Sequence, residues 1–140
     1  MEKELTLREV FMMFQQLTNI INKNYKGVKF NYALSKTISK LDRELEEVRK
    51  VAKPSPQYEA YQQRIAIARS KGDEEEIKKI EEEFKEVKEE YEKQMKEVDQ
   101  MMDETKVKID IHQINLKDIP EDIEGKDLLY LEYNGFILED

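Results

Sequence analysis

Cysteine and tryptophan are absent from these 140 residues, histidine occurs once, and only 3 prolines and 4 glycines punctuate the chain. Without cysteine there is no disulfide, zinc ribbon or thiol nucleophile, which agrees with a reducing compartment. A single histidine, His112, leaves Ser–His–Asp catalysis and histidine-rich metal sites without their parts. Gly27, Gly72, Gly125 and Gly135 stand far apart, so no glycine-rich loop can cradle a phosphate. No apolar run approaches the roughly 20 residues that span a bilayer. The Met1-Glu2-Lys3-Glu4 start carries no apolar stretch of a secretory signal. These absences point to a cytoplasmic protein with no membrane partner, no cofactor, no metal and no enzymatic site.

What the chain has in abundance is charge. Charged residues make up 40% and hydrophobic residues 39%, and 24 basic against 32 acidic side chains leave a net charge of −8. That balance suits long solvated helices better than a thick core. Its sign opposes phosphate backbones and anionic lipids, and so argues against nucleic acid and membrane surfaces.

Thr6 and Glu9 have the spacing of a capping box, in which each side chain satisfies the other residue's free backbone N–H. Leu7, Val10, Phe11, Phe14, Leu17 and Ile21 then mark a first helix, ending at Tyr25-Lys26-Gly27. A second helix is expected from about Phe30, with Leu34, Ile38, Leu41, Leu45, Val48 and Ala52 at alternating steps of four and three, the period of helices that supercoil together. Pro54 and Pro56 interrupt it with a kink or short break. Tyr58, Tyr61, Ile65 and Ala68 resume the spacing to about Ser70.

Lys71-Gly72-Asp73 is the clearest turn, with Gly72 suited to a left-handed helix end and Asp73 to capping the next helix. From Asp73 to Met102 the pattern predicts one further helix of roughly 45 Å, with Ile77, Ile80, Phe84, Val87, Tyr91, Met95 and Val98 on one face. Its other face pairs Glu74 with Lys78, Glu81 with Lys85 and Glu89 with Lys93, each worth about 0.2–0.5 kcal/mol.

After Asp103 the period changes to two. Val107, Ile109 and Ile111 alternate with Lys106, Lys108, Asp110 and His112, the pattern of a half-buried strand. Its candidate partners are Glu4-Leu5-Thr6 and the tail from Leu128 to Leu138. In that tail Asn134-Gly135 signals a hairpin, whereas a short helix from Asp127 with Gly135 as its C-terminal stop is the favoured alternative.

The chain therefore reads as a single mainly α domain: a long antiparallel, coiled-coil-like helical hairpin over residues 30–102, with a small α+β head. The head comprises the N-terminal helix and loop (1–29) and the C-terminal segment (103–140), a strand plus a short helix or hairpin.

The order of segments resembles a family of small proteins of unknown function from tailed phages and prophages of Gram-positive bacteria. The resemblance runs through a Leu-rich first helix, Lys29-Phe30-Asn31-Tyr32-Ala33-Leu34-Ser35-Lys36 opening a charged helical pair, the alternating Val107 to Ile114 stretch, and Asp127-Leu128-Leu129-Tyr130-Leu131-Glu132. It implies a phage-encoded protein acting within an infected cell or a particle, and because the family has no assigned activity it transfers no catalytic residues. A weaker likeness to the hairpin clamps of prefoldin subunits departs in order, because here the strand follows both helices.

Asp110 and His112 share a strand face, but two ligands alone do not hold a metal. The carboxylate runs Glu74-Glu75-Glu76 and Glu81-Glu82-Glu83 lie on a wet helix face rather than in a pocket that separates pKa values. Lys23, Lys26 and Lys29 around Tyr25 and Tyr32 could stack on nucleic acid, though an inter-helix loop explains them more simply. The broader lead is apolar. Met12 and Met13 on the first helix, Tyr58 and Tyr61 beyond the prolines, and Tyr130, Tyr133 and Phe136 in the tail are residue types enriched in interfaces. They make binding to another protein, of phage or host, the leading expectation, with self-association into a homo-oligomer. An intracellular inhibitor using the acidic face around Glu82 and Glu86 is the alternative.

Overall fold

A computed structural model describes residues 1–138. In chain order these form strand β1 (Glu2–Thr6), helices α1 (Leu7–Ile21), α2 (Val28–Ala52), α3 (Pro56–Ser70), α4 (Glu74–Glu83) and α5 (Lys85–Glu104), strands β2 (Lys106–Asp110) and β3 (Ile114–Asn115), helix α6 (Gly125–Tyr133) and strand β4 (Ile137–Leu138). The protein is mainly helical, as its composition requires. It divides into two compact units, Met1–Glu47 with Met102–Asp140, and Val48–Met101.

In the first unit the capping box forms as its spacing dictates. The Glu9 N–H donates to Thr6 Oγ1 at 3.1 Å and the Thr6 N–H to Glu9 Oε1 at 2.9 Å. This start sets the face of α1 that turns inward, placing Val10, Met13, Leu17 and Ile20 in the core. Phe30, Leu34, Leu41 and Leu45 of α2 join them with Ile109, Ile111, Leu131 and Phe136. The strand predicted around Ile109 pairs antiparallel with β1, Lys3 opposite Ile109 and Leu5 opposite Val107. The tail is helical over α6, and its end pairs β4 with β3 in parallel rather than forming a hairpin. Gly135 at φ 79 makes the turn between α6 and β4.

The second unit contains the hairpin turn. Gly72 adopts φ 65 and the Glu76 N–H donates to the Asp73 side chain at 3.1 Å. Tyr61, Ile65 and Ala68 of α3 pack against Ile80 of α4. The Gln94 side chain of α5 donates to the carbonyls of Val51 and Lys53 at 2.8 and 3.1 Å, tying α5 back to the end of α2. Ser55 caps α3 by accepting from the Tyr58 N–H at 3.1 Å, with Pro56 in the first turn where its missing donor costs nothing.

One expectation needs correction. The helix predicted from Asp73 to Met102 loosens at Phe84, where φ −101 and ψ 16 separate α4 from α5. The Phe84 N–H still reaches Ile80 O at 3.0 Å and Lys88 N–H reaches Phe84 O at 2.9 Å, so the apolar period continues across the irregularity and conceals it. Of α2, the part up to Glu47 falls in the first unit, where its apolar residues serve that core, and the part from Val48 falls in the second.

Candidate protein-docking groove

Of the seven residues singled out in the sequence for partner binding, the structure brings four to one place. Met12 and Met13 of α1 and Tyr130 and Tyr133 of α6 line a groove of about 580 Å³ beside β1, bordered by Lys3, Glu4, Leu5, Glu9, Gln16 and Asn134. Consecutive residues on a helix point about 100° apart, so α1 buries Met13 as floor while Met12 stands 58% exposed as wall. Tyr130 and Tyr133, three residues apart, share a face of α6. Tyr133 is 91% exposed, whereas Tyr130 is half-buried and its phenol is pushed up to about 12 by desolvation.

The groove is held at its end by polar ties. The Lys3 ammonium donates to Asn134 O at 3.2 Å, and the Asn134 amide donates to Tyr130 O at 2.8 Å. The first bond ties the end of α6 to β1, and the second closes the last turn of α6.

The other three candidates lie elsewhere. Phe136 is fully buried in the first unit's core, because the Gly135 turn brings its N–H to Leu131 O at 2.9 Å and its ring among the core residues. Tyr61 is buried in the hairpin, its hydroxyl donating to Glu81 Oε1 at 2.8 Å. Tyr58 is partly covered, its ring stacked on Tyr91 with centroids 3.8 Å apart. Phe136 and Tyr61 thus act in packing, and Met13 contributes to the groove only as its floor. Sequence reading missed β1 as a groove component, since Glu2-Lys3-Glu4 offers no apolar alternation.

The remaining chemical leads are absorbed by structure. Lys23 forms ion pairs with Asp127 at 2.7 Å and Glu124 at 3.4 Å, and the buried Tyr25 donates to Asp127 and accepts from the Glu124 N–H at 3.0 Å. Of the basic cluster at that loop, Lys23 is thus engaged in a structural network. Asp110 pairs with the Met1 ammonium and Lys40, which hold its carboxyl below its ordinary value. His112 sets its ring edge-on to Tyr32 at 5.6 Å. On the acidic helix face, Lys88 and Tyr61 bond to Glu81 and hold its carboxyl down, while Arg64 pairs with Glu83. Among the described residues no group of three or more His, Cys, Asp or Glu side chains is arranged to hold a metal ion, and no helix is long and apolar enough to cross a membrane. Comparison with protein-family models, curated proteins and solved structures finds no match to this chain.

Proposed function

We propose that the chain is a non-enzymatic protein-binding module that docks a partner protein in the groove between α1 and α6. The observation that carries this reading is the convergence of Met12 and Tyr133, from helices more than a hundred residues apart, as exposed apolar walls over a buried floor. In a chain with 40% charged residues, such a cluster is a surface that gains from being covered. Burying a side chain of the size of Met12 contributes roughly 1.5–3 kcal/mol. The carboxyls of Asp127, Glu81 and Asp110 and the ammonium of Lys88 are engaged in ion pairs with neighbouring groups rather than gathered in a pocket, which supports a binding rather than a catalytic role.

The resemblance of segment order to small phage proteins supports a partner from a phage particle or an infected host. Exposed Val51 and Ile67 on the second unit support association of copies, which would add avidity. The test is capture with the tagged chain from cells that carry its gene. The Met12→Ala/Tyr133→Ala double variant should lose the captured protein, while Glu82→Lys/Glu86→Lys retains it with little salt dependence. Loss with the charge reversal alone, steepening with salt, would favour an acidic-face inhibitor.

A further inference from the structure

The groove borders an edge of β1 that, among the described residues, no other strand covers. Among the described residues β1 pairs with β2 alone. The parity of its bonds is fixed at both ends: the Ile111 N–H donates to Met1 O at 2.7 Å, the Met1 ammonium donates to Ile111 O at 3.0 Å, and the Leu7 N–H donates to Thr105 O at 3.0 Å. Since bonded pairs alternate along an antiparallel ladder, Lys3 and Leu5 also face β2. The backbone groups of Glu2 and Glu4 then point the other way, and both residues are exposed.

Resting on the docking reading above, we propose that the partner engages by strand addition: an extended segment pairs with the Glu2–Glu4 edge and sets apolar side chains into the groove. The chemistry of that segment is shown by the strand β1 already accepts. On β2, Lys106 and Lys108 lie 3.9 and 4.0 Å from Glu4 and Glu2 on one face, while Val107 and Ile109 alternate onto the face of Leu5. The matching occupant alternates basic and aliphatic residues, its cations toward Glu2 and Glu4 and its apolar side chains toward Met12 and Tyr133. A second copy of β1 does not fit: antiparallel registers centred on this strand set Glu2 or Glu4 opposite a glutamate of the other copy, and like charges directly opposed are destabilising. Main-chain bonds supply affinity and alternate side chains supply selectivity, as in other strand additions.

The experiment is an NMR titration of the full chain, tagged at its C-terminus, with an acetylated and amidated Lys-Val-Lys-Ile-Lys-Val peptide. The expected result is a downfield shift and slowed solvent exchange of the Glu4 amide, together with a shift of the Met12 methyl. The same peptide N-methylated on alternate amides, and a Glu-Val-Glu-Ile-Glu-Val peptide, should give neither. Glu2→Gln/Glu4→Gln, at exposed positions that leave the fold intact, should weaken binding about threefold to tenfold. Shifts at Met12 and Tyr133 without any change at Glu4 would overturn strand addition while leaving the groove as a docking site. Absence of any shift, or equal binding of the acidic peptide, would overturn the proposed occupant chemistry. Failure of the groove reading itself is read separately, from capture by the Met12→Ala/Tyr133→Ala variant.

Discussion

The Tyr25 hydroxyl donates a hydrogen bond to Asp127 Oδ2 at 2.8 Å across 102 residues of sequence, and Lys23 donates to the same oxygen at 2.7 Å. This contact anchors α6, and with it Tyr130 and Tyr133, to the loop after α1. The groove is thus built by a polar network at one end and by Lys3 and Asn134 at the other.

Removing Asp127 should loosen that anchor. Asp127→Ala leaves the buried Tyr25 hydroxyl without its acceptor and should cost about 1–3 kcal/mol in denaturant unfolding. Burial pushes the Asp127 carboxyl up, but the bonds from Lys23 and Tyr25 outweigh it and hold it below its ordinary 3.8. A carboxyl depressed in the folded state gives stability that is present above the unfolded value and lost as pH falls through the folded one. Unfolding free energies measured in a pH series should therefore fall below 3.8 in the parent, and fall less steeply in Asp127→Asn.

Tyr130 carries the opposite sign. Desolvation raises its phenol from 10.0 to about 12, so its contribution is intact below 10.0 and is lost as pH rises toward the folded value. Ultraviolet titration of the folded chain should show a tyrosine ionisation near 12 that is missing in Tyr130→Phe. Stability of that variant should decline less on going above pH 10.0.

Phe136 and Tyr133 look alike in sequence and part company in structure. Phe136→Ala removes a ring with 0% exposure and should cost about 3–5 kcal/mol. Tyr133→Ala, at 91% exposure, should leave the thermal midpoint within about a degree or two, in keeping with a surface change below about 0.5 kcal/mol. Calorimetry of the two variants separates a core residue from a surface residue.

Much of this fold was written locally. Thr6 with Glu9, and Gly72 with Asp73, act within one turn of chain, and the alternation around Ile109 needs only its own segment, so each could be read directly. The unread features depend on distance. Nothing near Asp127 announces Tyr25, and the heptad of α2 runs from Leu41 and Leu45 to Val48 without a break although a unit boundary lies between Glu47 and Val48. Phe136 reads as an interface aromatic until the Gly135 turn directs it inward. The groove was half legible: Met12, Tyr130 and Tyr133 stood out as apolar surplus, but the charged strand beside them carried no pattern to mark it.

Within the hairpin unit, the stacked rings of Tyr58 and Tyr91, 15° from parallel, link α3 to α5. A double-mutant cycle with Tyr58→Ala and Tyr91→Ala should give a coupling of about 0.5–1.5 kcal/mol. Additive losses would show that the stack adds nothing beyond burial.

The docking reading meets its most direct test in photocrosslinking inside cells that carry the gene. A photoreactive phenylalanine analogue at Tyr133 places the probe on the groove wall, and the same analogue at Glu82 places it on the acidic helix face. An adduct with a second protein from position 133 and none from position 82 is the expected result. An adduct from position 82 with none from position 133 would contradict the groove as the binding surface.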